Sequence, residues 1–163
     1  MTSKPLDAAL ADAEDAFQRT PENPESGLEH ITDPAVLQLR KACRLLDAAR
    51  FLLDRNGHFT VVIETSFVAI ERSIQFYVEE KGHDVAGQRH TEVYELGVRT
   101  GLFSEEIADR LETLWTENRS ESYYRTGIAG EYRATTMYDV AEAVHDEVVA
   151  LTRTRDCLCE GTL

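Results

Sequence analysis

The stretch ENRSESYYR, residues 117–125, gathers two arginines and two tyrosines in a chain that is otherwise strongly acidic. An arginine fork matches phosphate oxygens, and a tyrosine offers a stacking face and a hydroxyl. Together they suit an RNA backbone, which makes Arg119, Arg125 and Tyr123 candidate phosphate contacts. At helical spacing Arg119 lies beside Trp115, Ser122 and Tyr123, and Arg125 beside Glu121. The same spacing also describes a salt-bridged helix end with tyrosines packed on arginine stems. Spacing alone leaves both readings open.

Other reactive residue types are scattered. The histidines are His30, His58, His83, His90 and His145. No HxxxH or HExxH pair occurs, so no helical zinc site is expected. His83 and His90 flank one loop and read as solvated, and His145 reads as a half-buried packing residue. Of the three cysteines, Cys43 falls in a helical pattern as a small core residue. Cys157 and Cys159 form CLC near the end of the sequence. Two thiolates supply half a metal site, whereas structural zinc takes four ligands. The expectation is therefore a frayed tail, with no metal and no cofactor. An odd cysteine count in a cytoplasmic setting argues against structural disulfides. No glycine-rich phosphate loop, GxSxG elbow or calcium loop is present. With 30 acidic residues, choosing any two carboxylates as an acid–base pair would be arbitrary.

The elements that must position these residues read as helices. A first helix covers about 4–18, followed by a polar linker, RTPENPESGLEHITD, at 19–33. Asp33-Pro34 supplies an N-cap and a proline at the first helical position. The second helix runs about 34–55 with Val36, Leu39, Cys43, Leu46 and Leu53 on one stripe, and RNG ends it. The third, about 58–80, opens on the β-branched FTVVI. Its apolar residues from Phe59 to Tyr77 recur at spacings of three and four, so a helix is expected despite that start. A loop and a short helix over about 89–99 follow. Ser104 caps a fifth helix whose Ile107, Leu111, Leu114 and Trp115 are expected in the core, and which runs into the arginine motif. A last helix over about 131–153 carries Tyr138, Ala141, Val144, Val148 and Leu151. Long helices joined by short turns predict an all-α, antiparallel up-and-down bundle over 34–153. Residues 1–33 form an N-terminal helix and linker, and 154–163 a tail.

The totals bound the setting. The chain has 163 residues, ordinary for one domain, and its apolar fraction of 42% argues against global disorder. No apolar run of about 18 residues exists, and the start lacks a signal-peptide core, so a cytoplasmic protein away from membranes is expected. A net charge of −13 repels nucleic acid unless a local basic patch overrides it. Such a surface also suits a salty cytoplasm, where carboxylates stay hydrated and salt screens their repulsion.

The order of these parts resembles the HEPN family of small helical domains. The resemblance spans about 34–153. It rests on the helix pair RLLDAARFLLDRNGHFTVVIETSFVAIERSIQFYVEEKG (44–82), the loop and short helix GQRHTEVYEL (87–96), and a late helix ending in ENRSESYYR. It implies a homodimer with its motifs facing one another. Active members resemble metal-independent ribonucleases, with an arginine followed four to six residues later by histidine. Histidine, with a pKa of about 6.5, takes the ribose 2′-OH proton, and arginine stabilises charge growing on the phosphate. Arg119 matches the family arginine and Asn118 its polar neighbour. The histidine would fall at Tyr124, Arg125 or Thr126, and none is histidine. Tyrosine, with a pKa of about 10, is a poor base. The expected function is therefore a dimeric binding module with weak or no ribonuclease activity, acting with a partner protein or RNA in a toxin–antitoxin or defence setting. In related two-gene systems the partner is a minimal nucleotidyltransferase, which makes Tyr123 or Tyr124 a candidate for modification. The alternatives are an active ribonuclease, in which Tyr124 orients RNA and Arg125, His90 or His145 replaces the base, and a plain helical interaction protein.

Overall fold

Asp33 and Pro34 open the bundle as expected. In the computed structural model, which describes residues 4–85, 87, 89–123 and 127–159, the Asp33 carboxylate accepts from the backbone N–H of Ala35 at 2.9 Å. The helices are α1 (Lys4–Gln18), α2 (Pro34–Asp54), α3 (Phe59–Glu80), α4 (Glu92–Arg99), α5 (Glu105–Glu117) and α6 (Glu131–Thr152). A π-helical turn, Asn118–Tyr123, extends α5. The described residues are all-helical, and none of their helices is long and apolar enough to cross a membrane.

The centre is α3. Twelve of its 22 residues are buried, so it is enclosed on most sides and not merely along one stripe. It packs on α2 and α6, with α4 against a further side. The turn between α2 and α3 is short because two residues accept left-handed backbone, Asn56 at φ 49° and His58 at φ 58°. Asparagine, not the neighbouring glycine, thus closes α2, because its short polar side chain tolerates that region. After α3 and α4 glycines take this role, with Gly82 at φ 84° and Gly101 at φ 79°.

Three expectations need correction. Ile107 and Leu114 are 43% and 39% exposed, and Leu151 is also exposed. The main contacts of α5 are with α4 and the π-helical turn, so it buries only the narrower face carrying Ala108 and Leu111. His145 is 1% exposed, not half-buried. The tail is packed, not frayed: Cys157 and Cys159 lie against the core cluster. Arg153 takes left-handed backbone at φ 52° and turns the chain back after α6. Arg40 then holds the returning segment, donating to the carbonyls of Gly27 at 3.0 Å and Asp156 at 3.3 Å. The Leu158 side chain occupies the space a Cβ on Gly27 would need. The linker and tail are thereby laced together over α2. In contrast, α1 is exposed from Pro5 to Gln18.

This distribution of burial separates two leucines. Leu39→Ala, at a fully buried site in α2, should cost about 2–5 kcal/mol. Leu114→Ala should cost no more than about 1 kcal/mol because the side chain keeps substantial access to water. Urea denaturation of the two variants measures the contrast, and equal losses would place α5 deeper in the core than described.

Candidate functional site

A π-helical turn widens the end of α5, a local deviation often found where side chains are re-aimed for function. It directs Asn118 and Arg119 toward α3. Asn118 Nδ2 donates to Glu64 Oε1 at 2.6 Å, and the Arg119 guanidinium meets Glu64 Oε2 at 3.2 Å. Both oxygens of Glu64 are therefore engaged. The guanidinium also lies 5.2 Å from the ring centre of Trp115, one turn earlier, as the i,i+4 spacing predicts.

Two turns further along α3 stands Glu71, 7% exposed. Its Oε2 meets His90 Nδ1 at 2.7 Å. His90 in turn stacks on Trp115, with ring centres 5.9 Å apart and planes 26° apart. Trp115 thus links an arginine–carboxylate pair to a histidine–carboxylate pair. Burial pushes the Glu71 carboxyl up from its ordinary range, while the His90 hydrogen bond and the Arg72 and Arg119 charges pull it back. With Nδ1 donating to Glu71, the basic lone pair of a neutral His90 is on Nε2, and the side chain is more than half exposed. Trp115 Nε1 is buried without a hydrogen-bond partner among the described residues.

The structure brings together Arg119, Asn118 and His90, and it adds Glu64 and Glu71. The sequence offered no way to choose those two among so many carboxylates. The backbone of Tyr123 belongs to the π-helical turn. Its side chain, Tyr124, Arg125 and the Arg125–Glu121 pair lie outside the described residues, and with them the proposed modification sites and the second phosphate contact. His145 belongs to a different cluster.

That cluster joins α2, α6 and the tail. Ligand atoms of Cys43, His145, Cys157 and Cys159 all lie within 4.8 Å of one another. His145 Nε2 is 3.6 Å from Cys43 Sγ, 3.3 Å from Cys157 Sγ and 3.3 Å from Cys159 Sγ. His145 Nδ1 is 3.0 Å from Ser73 Oγ, whose hydroxyl donates to the Ala69 carbonyl at 2.9 Å. With that hydroxyl proton committed, Nδ1–H must be the donor to Ser73. Hydrogen bonds from Cys159 and Cys43 hold the Cys157 thiol well below its ordinary range. Burial pushes the His145 imidazole down, but bonding to Cys157 and Cys43 outweighs it and raises the pKa to about 9. A cavity of about 810 Å³ opens beside this cluster, lined among others by Arg44, Arg50, Tyr138 and Glu142.

The Glu64–Arg119 pair is about three-quarters withdrawn from water on both sides, between an exposed and a buried ion pair. A double-mutant cycle of Glu64→Ala and Arg119→Ala should give a coupling of about 1 kcal/mol, falling as salt is raised. A coupling of zero at low salt would show that the two side chains do not hold one another.

No curated protein and no solved structure matches the chain. A family model does match, and it runs from the first residue through Cys159, taking in the arginine motif and all four members of the cysteine–histidine cluster. That model describes a domain of unknown function, DUF8154, over residues 1–159, and the chain belongs to this family.

Proposed function

We propose that the chain is a dimeric, HEPN-like binding module whose arginine motif serves structure and recognition, with weak ribonuclease activity at most. One observation carries this reading: the guanidinium that would meet a phosphate already faces the Glu64 carboxylate, which Asn118 holds in place. An incoming phosphate must compete with that carboxylate, and a net charge of −13 opposes its approach. The residues where an active HEPN protein carries histidine are Tyr124, Arg125 and Thr126 here. The exposed α1 supports a binding role. Its Leu6, Leu10 and Phe17 are 49%, 50% and 94% exposed and share one face at helical spacing. A second copy or a partner protein would cover that stripe. The partner class that the HEPN resemblance implies is a minimal nucleotidyltransferase, acting on Tyr123 or Tyr124.

The pairing of His90 with Glu71 favours one second reading, an active ribonuclease. A buried carboxylate orients the imidazole through Nδ1, leaving Nε2 to take a 2′-OH proton. Arg119, which also packs on Trp115, would then stabilise the phosphate charge.

Purified protein incubated with mixed RNA in chelator separates these readings. Wild type and Arg119→Ala should degrade RNA equally slowly, at the level of the buffer background, and wild type should sediment as a dimer. Cleavage that is lost by at least tenfold in both Arg119→Ala and His90→Gln would overturn the binding-module reading in favour of the ribonuclease. A monomer at micromolar concentration would remove the dimer.

A further inference from the structure

We propose that Cys43, His145, Cys157 and Cys159 form a tetrahedral zinc site that staples the C-terminal tail to α2 and α6. The argument begins with spacing. Zinc binds thiolate sulfur at about 2.3 Å and imidazole nitrogen at about 2.0–2.1 Å. Around one tetrahedral ion those bond lengths place two sulfurs about 3.8 Å apart, and sulfur about 3.6 Å from nitrogen. Here Cys43 Sγ and Cys157 Sγ are 3.6 Å apart, and the three sulfur-to-Nε2 distances are 3.3–3.6 Å. With every ligand pair within 4.8 Å, the widest need close by no more than about 1 Å. The four atoms surround a volume for one ion, and three soft sulfurs with one imidazole select zinc over magnesium or calcium.

The surroundings fit the same purpose. The Ser73 hydroxyl, tied to the Ala69 carbonyl, accepts from Nδ1–H and so turns the lone pair of neutral His145 on Nε2 toward the sulfurs. Backbone N–H groups donate to two of the sulfurs, Leu158 to Cys43 at 3.3 Å and Cys159 to Cys157 at 3.4 Å. Such donors offset thiolate charge. The backbone is also prepared, since Arg153 turns the tail back and Arg40 holds it at Asp156. Four protein ligands leave no open position, so the site is structural and not catalytic.

The full-length chain, purified under reducing conditions, should contain one zinc per molecule by elemental analysis. Cobalt in its place should give the charge-transfer and visible bands of tetrahedral thiolate coordination. Cys157→Ser and Cys159→Ser lie in the tail, where the helices can fold without them; each should lose most of the metal while retaining helical circular dichroism. Ser73→Ala keeps all four ligands and should weaken zinc binding about 10–100-fold, a shift that loss of the tail alone would not produce. Leu158→Ala should retain full occupancy. The proposal is overturned if reduced, folded wild type takes up no zinc, if the two serine variants bind as much as wild type, or if a Cys43–Cys157 disulfide is found in its place.

Discussion

The enclosure of α3 is the constraint on which the rest of the structure depends. A helix packed against α2, α4 and α6 must be apolar over the faces it buries, and a polar residue on those faces needs a partner inside the protein. Ser66 and Ser73 do this by donating back to carbonyls one turn earlier, Val62 at 2.7 Å and Ala69 at 2.9 Å. Glu71 cannot bond back in that way. It requires a donor from another element, and the loop before α4 supplies His90. Glu64, nearer the start of α3, is met by the end of α5. Glu64 and Glu71 of the central helix are thus tied to where two neighbouring segments come to rest.

This ordering explains the unusual geometry after α5. An ordinary α-helical continuation of Glu117 would rotate Asn118 and Arg119 on the regular 3.6-residue schedule. The wider turn resets that schedule just where two side chains must reach one carboxylate. Because Trp115 lies one turn before Arg119, it packs under the guanidinium and against the His90 ring. The cluster holds together in the manner of a small core, through stacking and neutralised charge.

Much of the bundle was legible because helices declare themselves locally. Asp33-Pro34, Ser104 and the spacing from Phe59 to Tyr77 each carry their message within a few residues, and the structure places helices where they point. Arg119 and Asn118 were legible through their motif. Glu64 and Glu71 were not, since only their partners on other elements distinguish them among 30 acidic residues. Ile107 and Leu114 were misplaced because apolar periodicity records that a face is apolar without recording what covers it. The cysteine–histidine cluster was least legible. Cys43 is 102 residues from His145 and 114 from Cys157, so no window of sequence contains it. CLC reads as half a site until α2 and α6 are brought side by side.

Glu71 and Ser73 are two positions apart on α3, and so about 200° apart around its axis. Each holds the Nδ1 of a histidine, and the difference between a carboxylate and a hydroxyl decides what each imidazole can do. The carboxylate of Glu71 accepts from Nδ1–H of His90, whose ring is more than half exposed, so Nε2 is left within reach of solvent. The hydroxyl of Ser73 brings no charge. It fixes the direction of Nδ1–H and leaves Nε2 buried among three sulfurs, which suits a neutral ligand. One helix therefore holds an exposed imidazole on one face and an imidazole enclosed by three sulfurs on the other.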